Sequence, residues 1–113
     1  MSVSVRDLIK QIQMEVRDTS LQPERAAVLV NKLSALIGNI NDEIRVADLE
    51  YSNVLLELMK EEKVRNRAEV RAETTPAYLR KREARDYKEL ATELIASLKY
   101  QVRLATEEMR LTK

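Results

Sequence analysis

A row of apolar residues runs through Leu29, Leu33, Leu36, Ile40, Ile44, Ala47, Tyr51, Val54 and Leu58. Each step is three or four residues, which keeps the row on one side of a single long helix. A helix of this kind owes most of its stability to packing, so the row is a seam that needs a partner. A second row supplies one: Tyr87, Leu90, Leu94, Leu98, Val102, Ala105 and Met109. The two rows match in character and roughly in length. Laid together they make a long antiparallel helical hairpin.

Composition closes the other routes. Ala, Glu, Lys, Leu and Arg supply 60 of 113 residues, the bias of long helices and coiled coils. One glycine and two prolines cannot make the many reversals a sheet requires. The expected fold is all-α: a short N-terminal helix plus a long antiparallel hairpin, coiled-coil-like and oligomeric, in one domain over residues 1–113.

The punctuation sets approximate bounds. Ser4-Val5-Arg6-Asp7 reads as an N-cap with an acidic residue three positions on, opening a helix over about 4–18. Val5, Leu8, Ile9, Ile12 and Val16 form its apolar face, and Asp18-Thr19-Ser20 interrupts it. Pro23 sits in the first turn of a long helix over about 22–63, with Ser20 or Gln22 as cap. Gly38 is a weak point there, costing about 1 kcal/mol relative to Ala, or a true break. From Lys60 the stripe fades into a polar reversal over about 64–75, where Asn66 with Glu69 could cap a short helix. Thr75-Pro76 is a cap followed by proline at the first helical position, starting a helix over about 76–111.

A second flank, Val30, Ile37, Leu55, Leu56 and Met59 with Ile95, makes the apolar surface wider than a two-helix seam needs. A lone hairpin also buries little for its size. The N-terminal helix, other copies of the chain, or both are expected to cover the surplus. The seam residues for hairpin and oligomer are Leu29, Leu33, Leu36, Ile40, Ile44, Tyr51, Leu58, Leu90, Leu94, Leu98 and Val102. Met14 and Met109 read as fillers of core gaps, and Tyr100 lies off the main stripe.

No chemistry-bearing pattern emerges. The chain has no cysteine and no histidine, so thiolate chemistry, the commonest metal ligand and the commonest general base are missing. There is no Gly-rich phosphate loop, nucleophile elbow or metal spacing. Carboxylate pairs such as Glu57–Glu61 and Asp86–Glu89 sit among Lys and Arg, as on an ordinary solvated helix face. No catalytic residue, cofactor site or metal site is expected, and no enzyme. No run suits a bilayer or a signal peptide, so the expected compartment is the cytoplasm, with no membrane partner.

Charge is informative only in its distribution. The net charge is +1, yet residues 60–88 hold ten of the twenty basic side chains against six acidic ones. Cations interleaved with aromatics suit single-stranded nucleic acid, with cations on phosphates and rings on bases. The candidate contacts are Lys60, Lys63, Arg65, Arg67, Arg71, Tyr78, Arg80, Lys81, Arg82, Arg85 and Lys88. The plainer reading is a charged exposed helix, with Arg82–Asp86 and Arg85–Glu89 as i,i+4 pairs and Tyr87 in the packing stripe. Repetition around an oligomer would strengthen a modest positive segment.

The N-terminal half resembles the UvsY family of tailed-phage recombination mediators. The similarity lies in Asp7-Leu8, Glu15-Val16, Leu21-Gln22-Pro23-Glu24, then Ile40 and Glu43 on the long helix. It extends to the plan of a short helix, a long helix, a polar reversal and a second long helix. The resemblance implies a phage-encoded protein of the bacterial host cytoplasm that forms a ring and binds single-stranded DNA. It also implies two protein partners, a strand-exchange recombinase and single-strand-binding protein. One departure stands out: the family carries basic residues late in its long helix, whereas Ser52 to Met59 holds no Lys or Arg. The candidate DNA contacts therefore rest on charge distribution alone. The function expected is a non-enzymatic oligomer that binds single-stranded DNA without sequence preference and assists recombinase loading. The alternative is a helical protein–protein interaction module, such as a chaperone, adaptor or scaffold, without nucleic-acid binding.

Overall fold

A computed structural model describes residues 4–18 and 21–111. Its elements are α1 (Val5–Asp18), α2 (Pro23–Glu61), α3 (Arg65–Ala72) and α4 (Pro76–Leu111). The described residues contain helices and no strand, so the all-α class follows directly.

The helix starts obey their local signals. Ser4 Oγ accepts the Asp7 backbone N–H at 3.1 Å, capping α1. The Gln22 carbonyl accepts the Ala26 N–H at 3.0 Å, so Gln22 is the residue that opens α2. Thr19 and Ser20, the other half of the expected interruption and cap, lie outside the described residues. Between α3 and α4 two threonines make the turn. Thr74 Oγ1 donates to the Arg71 carbonyl at 2.7 Å, and Thr75 Oγ1 donates to the Ala72 carbonyl at 2.5 Å. The same Thr75 oxygen accepts the Tyr78 N–H at 3.4 Å, so one hydroxyl serves the end of α3 and the start of α4.

α2 runs helical through Gly38 from Pro23 to Glu61, as the continuing stripe expects, so the alternative of a true break is excluded. Two other local expectations are corrected. The expected reversal contains a helix, but Asn66 does not cap it. α3 begins after an extended Val64 that makes no side-chain cap bond, and Asn66 lies within the first turn. Met14 and Met109 are 55% and 63% exposed rather than core fillers.

The described residues form two compact units, one drawn from Met1–Asn39 and Tyr87–Lys113, the other from Ile40–Asp86. In the first, α1 and stretches of α2 and α4 share a core of branched side chains: Ile9, Ile12, Leu29, Leu33, Leu36 and Leu98, closed by Ala26 and Ala91. The Arg25 guanidinium grips both Glu15 carboxylate oxygens at 2.7 Å, tying α1 to α2 along the rim. Leu90, Leu94 and Val102 of the expected seam are half-buried here.

The second unit is built differently. Its α2 and α4 stretches run antiparallel, as the pairs Asp48–Arg85, Glu50–Arg80 and Tyr51–Tyr78 require. Beside Ile40, its buried residues are alanines: Ala47, Ala68, Ala72, Ala77 and Ala84. Small side chains allow helix axes to approach closely, so fully buried alanines suit closely spaced helices, with larger groups such as Val54 and Leu55 half-buried beside them. Ile44, Tyr51 and Leu58 are only half-buried.

Candidate functional site

The basic segment and the residues α2 lays against it occupy the second unit. The Arg80 guanidinium donates Nε and Nη2 to Glu50 at 2.8 and 2.5 Å. Arg85 Nη2 donates to Asp48 Oδ2 at 2.6 Å, while Asp48 Oδ1 is enclosed without a hydrogen-bond partner among the described residues. Arg71 Nη1 bridges Glu61 and Glu62 at 3.1 and 3.2 Å. Arg65 pairs with Glu69, and Lys60 with Glu57, each at 3.0 Å. Five of the candidate DNA contacts are therefore engaged with carboxylates.

Two more engage aromatic rings. Tyr51 and Tyr78 meet with centroids 5.7 Å apart and planes tilted by 47°. Lys81 Nζ stands 4.3 Å from the Tyr51 centroid, and the Arg82 guanidinium 5.9 Å from that of Tyr78. Burial, reinforced by the Glu73 and Glu69 charges and by Tyr78, pushes the Tyr51 hydroxyl up from its ordinary value. Tyr78 is half-buried against Tyr51, a packing role that the stacking expectation did not foresee. Lys63, Arg67 and Lys88 are exposed and form no ion pair among the described residues.

The pairs read from sequence are also corrected. Arg85 reaches across to Asp48 rather than along α4 to Glu89, and Arg82 lies by the Tyr78 ring rather than on Asp86. An i,i+4 pair holds two flexible side chains together on one exposed face, where it is worth little. A carboxylate fixed on the neighbouring helix competes well against that.

The charge balance changes accordingly. Residues 40–59 bring five acidic side chains and one basic one. The unit spanning Ile40–Asp86 then holds eleven acidic and ten basic groups, so its basic segment faces its own counter-charge. Large apolar groups go the other way. Val46, Leu49, Leu56, Met59, Val64, Val70 and Leu79 are all exposed in this unit.

No family model, no curated protein and no solved structure matches this chain. Among the described residues no group of three or more His, Cys, Asp or Glu could hold a metal ion. No helix there is long and apolar enough to cross a membrane. Sequence reasoning missed the alanine core, and it missed that Val46 and Leu49 join Leu56 and Met59 of the second flank as exposed apolar groups on α2. Val46, Leu49 and Leu56 had a signal, a three-four spacing completed by Asn53, hidden behind the longer buried row.

Proposed function

We propose that this chain is a non-enzymatic helical interaction protein that acts by self-association and by packing against helical partners. What supports this reading is the seven large apolar side chains left in solvent on a unit whose charges nearly cancel. Exposed apolar side chains on a charge-balanced unit favour protein contact over a polyanion. Light scattering tests it. The expected result is a mass that rises above one protomer with concentration. A protomer mass at every concentration, with no helical partner bound, rejects it.

A second reading is the single-stranded-DNA accessory of phage recombination that the resemblance implies. What supports it is the group of cations without carboxylate partners among the described residues, such as Lys63, Arg67 and Arg82, the last beside the Tyr78 ring. Such binding would draw on phosphate contacts, and hence be sequence-independent and steeply salt-sensitive. Anisotropy of a labelled single-stranded oligonucleotide, titrated with salt, separates the readings. Tight binding at low salt that collapses as salt rises, and that Lys63→Ala with Arg67→Ala weakens, selects the second.

A further inference from the structure

The α2 stretch of the second unit carries a second apolar row that its own unit leaves in water. Val46, Leu49 and Leu56 are 66%, 63% and 58% exposed, and Asn53 between them is exposed as well. The steps 46–49–53–56 are three, four and three, the a/d period of a two-stranded coiled coil. At 3.6 residues per turn, this row lies roughly 160° round the helix from the one through Ile40, Ala47 and Leu58. α2 thus presents one seam inward and another outward.

We propose that the outward row is a parallel, two-fold seam between two copies of this chain, with Asn53 opposite its own counterpart. The seam rests on the interaction reading above and names the occupant. Parallel pairing sets each residue of the row against itself. An amide carries both donor and acceptor, so two Asn53 side chains satisfy each other. A single polar residue at such a position fixes register and strand number, at some cost in stability. Antiparallel pairing would instead press Asn53 against Leu49, burying an amide with nothing to bond.

The charges on either side of the row choose the same orientation. Glu43, Glu50 and Glu57 line one edge; Arg45, Ser52 and Met59 line the other. Parallel strands bring unlike edges together, and Arg45 of one copy falls opposite Glu50 of the other. The Glu50 carboxylate accepts two bonds from Arg80 and still has lone pairs to offer. Antiparallel strands would bring the glutamate edge onto itself, Glu43 against Glu57 and Glu50 against Glu50, which repels. A second copy is thus a partner that matches both the amide and the charged edges.

The chain has no cysteine, so introduced thiols report the geometry cleanly. Val46→Cys and Leu56→Cys, each alone, should form a covalent dimer on mild oxidation. Cross-linking only when the two variants are mixed would mean antiparallel strands and would overturn the register. Asn53→Val should keep or tighten the dimer and let Val46→Cys cross-link to Leu56→Cys, because the register lock is gone. Leu49→Asp should return the mass to one protomer with helicity unchanged, since Leu49 is exposed within the protomer. If a full-size oligomer survives Leu49→Asp, the seam is refuted while the interaction reading stands. If the unmodified chain is a protomer at all concentrations and binds no helical partner, both fall.

Discussion

Arg80 on α4 holds both carboxylate oxygens of Glu50 on α2, at 2.8 and 2.5 Å, across thirty residues of sequence. With Arg85 on Asp48, it turns the most basic stretch of the chain toward acidic groups that the linear sequence places far away. The pairs are partly solvent-exposed, so each adds only modestly to stability, and their main effect is on where charge is directed.

If that counter-charge masks the segment, removing it should expose a polyanion site. Asp48→Asn with Glu50→Gln is expected to raise affinity for a single-stranded oligonucleotide and steepen its salt dependence by about 0.7 in log–log slope for each phosphate newly contacted. Anisotropy across a salt series checks this. Unchanged slope and affinity would mean the segment is inaccessible for another reason.

Acid should weaken the fold through the same groups. The Arg80 hydrogen bonds hold the Glu50 carboxyl below its ordinary value of 4.5, against an opposing effect of burial, and Arg25 does the same for Glu15. A carboxyl depressed in the folded state stabilises it fully above the unfolded value, and that contribution is lost as pH falls through the folded value. The urea midpoint should therefore be level above the carboxylate range and decline below about 4.5. Glu15→Gln with Glu50→Gln should lower the plateau and flatten the decline. Carboxyl NMR titration locates each group directly.

Gly38 offers a simple gain. It lies inside α2, and a Cβ added there meets nothing within 4 Å. Gly38→Ala should stabilise the protein by about 1 kcal/mol, raising Tm by roughly 4–8 °C. Calorimetry reads it out, and a lower Tm would show that the glycine serves some packing against another molecule.

The Thr75 hydroxyl joins the Ala72 carbonyl to the Tyr78 N–H. Thr75→Ala is expected to cost about 1 kcal/mol, and Thr75→Ser to recover most of it. Chemical denaturation of both variants is the check; equal loss from both would point to the threonine methyl instead.

Ala72 is fully buried in the unit where alanines are the core. Ala72→Leu should destabilise by about 1–3 kcal/mol through overpacking. Leu33→Ala, in the leucine-rich unit, should cost about 2–5 kcal/mol by leaving a cavity. Urea midpoints that moved little for Ala72→Leu would mean that α3 can swing away from its neighbours.

The legible parts were those written locally. Ser4 and Thr75 capped where capping residues followed by helix formers said they would. The buried parts of the long rows, Leu29 to Ile40 in the first and Leu98 in the second, followed from period alone. Asn66 failed because a cap signal is only a choice among nearby residues, and Val64 in extended backbone started α3 first. Met14 failed because a residue's type does not say whether its face of the helix has a neighbour.

That this chain is helical, and where most of its helices begin, is written in period, caps and prolines, because each acts over a few residues. The sequence also sets the total of its charges. Which charges meet, that alanines close the second unit, and that Val46, Leu49 and Leu56 are exposed depend instead on how the helices pack. The reason is distance along the chain: a contact between Glu50 and Arg80 depends on how two helices are laid together, and no local pattern encodes that register.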